Sequence, residues 1–516
     1  KIFKDKQITT FKTFVLRNGG NDYNLTMFRD AMVSSVVAGQ MDIDYMAYQP
    51  AAVYLNGKYW GLYNIREKQN DSYLESNHNI STENIDILED SILINDGSSK
   101  LYEELLTYIR TNDASKPSFF EGLKKRIDVD NYINMMTTKI YGGYFIWYMN
   151  NKYWTERKLG GRWRWFLFDI EHTFSGPSGD NYMVNTLQNT LEENSSTQPE
   201  WSTELFRTLM KNKQFKDRFV QTFAFHVNTT FAQSRVNHII DSLKSNIAEE
   251  MQLHITRWNT PISYFNWGNN VAEMNLFATE RPNYIFSQFI SALTLSGTYR
   301  LTLNTNSQQG TILFNDTKMQ QNQVTGKFFK NVPFSLKAVP YPGYRFVRFD
   351  GIETQNPDSI VSSANMNITA IFESNSTNLL PDTVRGTLIL SDNGYPYVSA
   401  GDVVIPAGDS LIIESGVNIE LAPDANIIDY GCLKILGTSQ KKVTISANQF
   451  PIYAKPGKDY TWGAICAQNP SDSVIIEYAE FLNGTHGSDV SKDMSVINVH
   501  NGTVRIDHCT ITDAVN

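Results

Sequence analysis

The sequence predicts a multi-domain protein in which an α+β domain is followed by a small all-β module and then by a parallel β-helix. A chain of 516 residues is too long for one hydrophobic core, and its length predicts roughly three to four domains. Helical periodicity dominates residues 202–293, and at Ser296-Gly297 the pattern changes to short alternating strands. From Gly386 onward, short apolar runs recur between Gly, Asp and Asn turns, which is typical of a solenoid.

These changes of pattern define the expected boundaries. The α+β domain is expected at residues 1–293, the all-β module at 297–375, a polar linker at 376–397 and the β-helix at 398–516. An immunoglobulin-like sandwich is the alternative for the last segment, because short strands separated by polar turns occur in both folds.

Composition excludes some classes of function. Apolar residues make up 41% of the chain and charged residues 19%, which is typical of globular domains. We expect no transmembrane segment, because no apolar run reaches the roughly eighteen residues that span a bilayer. The net charge of -9 and the dispersed Lys and Arg residues argue against a nucleic-acid partner.

The ends of the chain and its cysteines bear on where the protein works. The sequence begins at Lys1 and ends at Asn516 within a repeating pattern, so we expect part of a longer, exported protein at the cell surface or in an extracellular or periplasmic space. The three cysteines are scattered over the last fifth of the chain. Their odd number and their spacing favour free, buried thiols over disulfides or a zinc site.

The first half of the α+β domain mixes strands and helices. FKTFVLR at residues 11–17 alternates like a half-buried strand, and a helix is expected from about Leu25 to Ala38. Asn56-Gly57 between two apolar runs predicts a hairpin, because both turn residues take positive φ. Asp128 or Asp130 is expected to cap the next long helix. The polar segment 177–200 is expected to be a loop over a cleft or a mobile excursion.

Residues 144–176 hold the most informative polar side chains. Two elements are expected to form a hairpin across the Gly160-Gly161 turn, with Asn150 and Asn151 before the turn and Asp169 at the end of the aromatic run after it. An amide and a carboxylate from neighbouring strands are typical ligands of Mg²⁺, which prefers oxygen. The alternative is that the two Asn residues form a turn and Asp169 caps a neighbouring segment.

Several motifs in order identify a family resemblance. They are Arg17-Asn18-Gly19-Gly20-Asn21-Asp22, Phe28-Arg29-Asp30, the run YLNGKYWGLYNIREK at residues 54–68, the Asn-Asn pair and WRWFLFD at residues 163–169. Together they resemble the spore coat protein H (CotH) kinase family over about residues 8–293. The resemblance implies a divergent protein-kinase-like fold that transfers the γ-phosphate of ATP to Ser or Thr of proteins, with Mg²⁺ or Mn²⁺ as the metal.

The resemblance also implies roles for individual residues. Asn151, Asp169 and Glu171 stand at the metal-binding positions. Arg17, Arg29 and Arg66 stand in the matched motifs as candidates for phosphate binding, and Glu67 is a candidate to orient one of them. The alternative is that Arg66 and Glu67 form an exposed pair at a strand end, which contributes less than about 1 kcal/mol.

One position departs from the family pattern. Kinases carry a catalytic Asp five residues before the metal-binding Asn, and in this chain Ile146 stands five residues before Asn151. A positioned general base contributes about 10² to 10⁴ in rate. The sequence therefore predicts either a severely weakened kinase or a pseudokinase.

The later modules leave other functions open. Residues 297–375 resemble the divergent internalin-type B-repeat, and residues from 398 onward resemble a right-handed β-helix. One alternative is a non-catalytic cell-surface protein that binds another protein or a carbohydrate through these modules. Another is a β-helix lyase or hydrolase acting on polysaccharides. The acidic and His residues available for that chemistry are Asp472, Glu477, Glu480, His486 and Asp489.

Overall fold

The structure is a computed structural model, and its described part begins at Ile2 and ends at Ala514. The described residues are 2–6, 8, 10–78, 80–157, 160–178, 181–193, 199–341, 343–352, 359–375, 378–448, 460–487 and 494–514. Asp489, one of the acidic residues considered for polysaccharide chemistry, lies outside these ranges.

The amino-terminal domain begins with an antiparallel sheet and one helix. Its first elements are β1 (Phe14–Arg17), α1 (Arg29–Val37), β2 (Tyr48–Leu55) and β3 (Lys58–Glu67). The strand order is β1-β3-β2, so β3 is central. The hairpin predicted at Asn56-Gly57 is confirmed, since Leu55 pairs with Lys58 and the two turn residues have φ of 50° and 76°.

A second antiparallel sheet carries the stretch that the sequence singles out. The next elements are α2 (Asp71–His78), β4 (Ile85–Glu89), β5 (Leu93–Asp96), α3 (Lys100–Thr111), α4 (Pro117–Lys124), α5 (Val129–Tyr141), β6 (Lys152–Glu156) and β7 (Arg164–Trp165). The strand order is β5-β4-β6-β7. The predicted pairing across Gly160-Gly161 is confirmed, because Tyr153 lies opposite Trp165.

Helix α5 precedes the segment that contains Asn150 and Asn151. Its Asp128 side chain accepts a hydrogen bond from the backbone N–H of Asn131 at 3.2 Å, which confirms a predicted cap. Asp128 also pairs with Arg164 of β7 at 2.5 Å. The start of α5 and the strand before Asp169 are therefore fixed to each other by a buried ion pair.

Helices complete this domain. They are α6 (Thr186–Leu191), α7 (Glu200–Met210), α8 (Lys213–Asn228), α9 (Gln233–Trp258) and α10 (Tyr264–Leu293). Helix α6 lies within the segment expected to be a polar loop. Its Asn185 cap and buried Leu187 give that segment a helical turn of its own. No helix in the described ranges is both long enough and apolar enough to cross a membrane.

The next part of the chain is all strand. Its elements are β8 (Thr298–Asn304), β9 (Gly310–Phe314), β10 (Thr317–Lys318), β11 (Gln323–Phe329), β12 (Leu336–Pro340), β13 (Tyr344–Asp350) and β14 (Met366–Ser374). They form two sheets, with strand orders β11-β8-β14-β13 and β10-β9-β12.

This β-module is joined to helix α8 by a shared core. The ring of Phe225 stacks on that of Phe314 with centroids 5.0 Å apart. The buried amide of Gln221 donates to the carbonyl oxygens of Phe329 and Val332 at 2.9 and 2.7 Å, and its oxygen accepts from the N–H of Phe329 at 3.2 Å. The module therefore packs against the helical half of the first domain as one continuous core.

The carboxyl-terminal part consists of short parallel strands. They are β15 (Thr387–Leu390), β16 (Tyr397–Val398), β17 (Val403–Ile405), β18 (Ser410–Glu414), β19 (Asn418–Leu421), β20 (Ile427–Asp429), β21 (Cys432–Leu436), β22 (Val443–Ala447), β23 (Ile465–Gln468), β24 (Val474–Glu477), β25 (Ala479–Leu482), β26 (Ile497–His500), β27 (Val504–Asp507) and β28 (Thr510–Thr512).

Successive strands of this part enter three parallel sheets in turn. The strand orders are β15-β18-β21-β24-β27, β16-β19-β22-β25-β28 and β17-β20-β23-β26. This arrangement is consistent with a parallel β-helix, and the antiparallel sandwich considered as its alternative is wrong for the described strands. The first parallel strand begins at Thr387, within the segment expected to be the linker.

Replacing Gln221 with Met tests the contact between α8 and the β-module. The substitution keeps the side-chain length but leaves the buried N–H of Phe329 without an acceptor. We expect the free energy of unfolding, measured by urea denaturation, to fall by about 1–3 kcal/mol. The exposed Gln252 in α9 provides the control, and Gln252→Met should have little effect. Equal stability of the two variants would contradict the contact.

Candidate functional site

Two loops meet where the sequence predicts the site. The first is the segment between α5 and β6, which contains Ile146 and the Asn pair, and the second follows β7 and begins near Asp169. Both Asn150 and Asp169 have left-handed backbone, with φ of 61° and 47°. The Asn150 side chain donates to the Asp169 carbonyl oxygen at 3.4 Å. The predicted closeness of the two loops is therefore present in the structure.

Arg17 at the end of β1 reaches the carboxylates of the second loop. Its Nη2 forms ion pairs with Asp169 and, at 2.5 Å, with Glu171, while its Nη1 lies 3.6 Å from Asp30. Burial alone would lower the pKa of Arg17, but these three carboxylates raise it above the ordinary range. The guanidinium is therefore a fixed cation, with about 20% of its side chain exposed.

Glu171 lies beneath the glycine-containing loop of the first motif. Its Oε1 accepts from the backbone N–H of Asn21 at 2.7 Å. Gly20 has φ of 64°, and a Cβ there would overlap the Glu171 carboxylate. Burial, together with the charge of Asp169, raises the pKa of Glu171 to about 7 although Arg17 opposes the shift. The loop thus closes over a carboxyl group that holds its proton near neutral pH.

Asp30 connects this site to the amino-terminal sheet. Its carboxylate pairs with Arg66 of β3 and accepts from the backbone N–H of Ile170 at 3.1 Å. Burial would raise its pKa, but the cations Arg66 and Arg17 outweigh burial and lower it. Asp30 therefore fixes the position of the Asp169–Glu171 segment relative to α1 and β3.

Arg66 and Glu67 are both buried, so the exposed pair considered as an alternative is wrong. Arg66 donates to Ser34 Oγ at 3.0 Å and to the Met46 carbonyl oxygen at 2.9 Å in addition to Asp30. Glu67 pairs with Lys6 at 3.2 Å. These partners give both residues a structural role in joining β3 to its surroundings, away from the surface that a phosphate would reach.

Arg29 is also enclosed. Its Nε donates to the buried Asp22 at 3.1 Å, and its Nη1 donates to the carbonyl oxygen of Phe174. Only 1% of the residue is exposed. Arg29 therefore joins the first loop to the loop after β7, and Arg17 is the member of the three predicted arginines that has exposed surface at the site.

The side-chain amide of Asn151 forms hydrogen bonds within the protein. Its Oδ1 accepts a hydrogen bond from Lys139 Nζ at 2.9 Å, and its Nδ2 donates to the Trp147 carbonyl oxygen at 2.6 Å. Its backbone N–H donates to Asp90 at 3.0 Å. The amide is thus used within the protein at both ends.

Lys139 of α5 is a site residue that the sequence analysis missed. It is 1% exposed, and its Nζ also donates to the Asn150 carbonyl oxygen at 3.3 Å. Burial lowers the pKa of Lys139 to about 7, while the nearby carboxylates of Asp90 and Asp169 oppose that shift. A lysine within the buried helix α5, 11 residues before Asn150, was the signal available in the sequence.

Ile146 offers no proton acceptor at the position where kinases carry one. Its side chain is half-buried and packs against the hydrophobic core of the domain. The Ile146 side chain is therefore part of the hydrophobic packing of this domain.

Comparison with known proteins identifies the family of the chain. Residues 1–285 match the family model described as CotH kinase protein, which is more than half of the 516 residues. The chain belongs to the CotH kinase protein family. The predicted CotH resemblance and the mixed α and β character of the amino-terminal domain are confirmed. No curated protein matches the chain.

Membership of the CotH family points to ATP and a divalent metal in general. The three predicted metal ligands do not fit such an ion as they are arranged here. Asn151 Oδ1 is bound by Lys139, an Asp169 oxygen is bound by Arg17, and both Glu171 oxygens have donors. Among the described residues, no three His, Cys, Asp or Glu side chains group as a metal site requires.

The carboxylates of the last part of the chain have basic partners. Those pairs are Asp472 with Lys434, Glu477 with Arg505 and Glu480 with Lys442. His486 Nδ1 lies 2.8 Å from the carbonyl oxygen of Gly487. Each of these three carboxylates is thus engaged by a cation, so the hypothesis of a polysaccharide lyase or hydrolase gains no support from the described residues.

Replacing Glu171 with Gln tests the shifted pKa. The ordinary pKa of this carboxyl is 4.5 and the folded value is about 7, so the folded state binds the proton more tightly than the unfolded state. The stability from this group is complete below pH 4.5 and is lost as the pH rises through about 7. We therefore expect the variant to gain stability relative to the wild type over this range.

Urea denaturation at several pH values measures this difference. Glu104→Gln, at an exposed position in α3, is the matched control and should follow the wild type at each pH. A difference between Glu171→Gln and wild type that stays constant with pH would contradict the raised pKa.

Proposed function

We propose that this is an exported, CotH-type kinase-like protein whose capacity to transfer phosphate from ATP to Ser or Thr of proteins is degenerate. Family membership supports the reaction class. The observation that carries the degeneracy is Ile146, a core-packed hydrocarbon five residues before Asn151. Without a carboxylate to accept the proton of the acceptor hydroxyl, the reaction loses a contribution of about 10² to 10⁴ in rate.

Arg17 is the residue that we assign to a nucleotide phosphate. It lies at the end of β1 beside the glycine-containing loop, and its guanidinium is partly exposed. The paired carboxylates hold this guanidinium in one orientation, which suits a planar donor for phosphate oxygens. Arg29 supports the same loop through its buried partner Asp22, and Arg66 pairs with Asp30 of α1.

A non-catalytic role at the cell surface is the second candidate. The same features favour it, because Ile146 lacks a proton acceptor and the predicted metal ligands are bound by protein donors. In that case, the kinase-like domain, the B-repeat-like module and the proposed right-handed β-helix present surfaces to a protein or a carbohydrate. The shared hydrophobic core of the module and α8 supports a single scaffold for these two parts.

Replacing Ile146 with Asp tests the proposed degeneracy. The new carboxylate restores the residue type that kinases carry at this position. We expect phosphate incorporation from labelled ATP into a generic protein acceptor to rise at least about tenfold over the wild type, since a base contributes about 10² to 10⁴ when well positioned. Ile146→Asn is the matched control, because it has the same shape as the Asp variant and no basic oxygen.

The two candidate functions give different results in this assay. Wild-type incorporation at ordinary kinase rates, unchanged in Ile146→Asp, would contradict the proposal and show that another carboxylate serves as base. ATP that fails to bind to wild type or variant, measured by calorimetry, would leave the non-catalytic surface protein as the function.

A further inference from the structure

Every side chain predicted to hold a metal is already bound to a donor of the protein itself. The amide oxygen of Asn151 is 2.9 Å from Lys139 Nζ, and Asp169 is paired with Arg17. The remaining candidate, Glu171, accepts from Arg17 and from the backbone N–H of Asn21. The three predicted metal ligands thus belong to one hydrogen-bond network that spans both loops.

The two side chains that occupy these oxygens lie where the acidic groups converge. Lys139 is buried, its Nζ donates to the Asn150 carbonyl oxygen and to Asn151 Oδ1, and the charges of Asp90 and Asp169 act on it. Its chain lies against the rings of Tyr144 and Trp147, with Nζ 4.6 and 5.5 Å from their centroids. This packing fixes the position of the Lys139 amino group.

The network gives each of the three predicted ligands a protein donor without an ion. A buried carboxylate or amide oxygen needs a donor or a cation, and removing that partner is costly. Lys139 supplies a donor to Asn151 whether its amine is neutral or charged, and Arg17 remains charged under all ordinary conditions. A divalent ion that used the bound oxygens of Asn151 and Asp169 would have to displace both side chains.

We propose that Lys139 and Arg17 permanently replace the divalent metal ions of this site, so that the free protein binds neither Mg²⁺ nor Mn²⁺ there. This inference rests on the proposed function only in taking the site to be a former phosphoryl-transfer centre. Lys139 is a positioning residue in this account, because it holds Asn151 and contacts no substrate.

Titration with Mn²⁺ alone tests the inference, because Mn²⁺ is paramagnetic and its free fraction is measured by electron paramagnetic resonance. The wild type should show no saturable binding at this site below millimolar Mn²⁺. Lys139→Met keeps the apolar chain against the two rings but frees the Asn151 oxygen. Its affinity for Mn²⁺ should rise at least about tenfold, and adding Asn151→Ala should remove the gain.

Lys152 provides the matched control. It stands next to Asn151 in sequence, but its Nζ is directed to Glu89 at 3.7 Å and to the ring of Phe168. Lys152→Met removes the same charge from the same neighbourhood and should leave Mn²⁺ binding as weak as in the wild type. Thermal unfolding confirms that each variant is folded, and Arg17→Met serves as the second variant if Lys139→Met is not.

Two outcomes would overturn the inference. One is micromolar Mn²⁺ binding by the wild type that disappears in Asp169→Asn. The other is a folded Lys139→Met or Arg17→Met variant with no gain in affinity. Since these titrations contain no nucleotide, their result is independent of the transfer assay. Rapid phosphate transfer by the wild type would contradict the proposed degeneracy. It would not show whether Lys139 and Arg17 or a metal ion bind the oxygens of Asn151 and Asp169.

Discussion

The ion pairs of Arg17 and Arg66 with the carboxylates around them hold the amino-terminal domain in one arrangement. Asp30 lies between the two guanidinium groups and also accepts from the N–H of Ile170. Charges buried this deeply require partners, and removing one member of such a pair typically costs about 3–5 kcal/mol. These ion pairs therefore connect the first sheet to α1 and to the loop after β7. They thereby fix the position of Asp169.

The same constraint decides the chemistry of the site. Phosphoryl transfer depends on cations placed against phosphate oxygens and on a proton acceptor beside the hydroxyl group. In this chain Arg17 pairs with Asp169, Lys139 donates to Asn151, and Ile146 contributes packing in place of a proton acceptor. Burial and the charge of Asp169 also raise the pKa of Glu171 to about 7.

Local rules predicted the parts of the fold that local chemistry determines. Asn56-Gly57 gave the hairpin because two positive φ angles suit these residues, and Asp128 capped α5 because its carboxylate reaches a free N–H. The roles of Arg66 and Lys139 depend on partners distant in sequence or on burial. The sequence motif alone does not distinguish an arginine that binds a phosphate from an arginine that pairs with a buried Asp.

A crystal structure grown in millimolar MnCl₂, with anomalous diffraction recorded at the manganese edge, tests the central claim most directly. The account predicts Lys139 Nζ within hydrogen-bonding distance of Asn151 Oδ1 and no anomalous peak beside Asp169. A manganese peak bound to both Asn151 and Asp169, with Lys139 moved away, would contradict it.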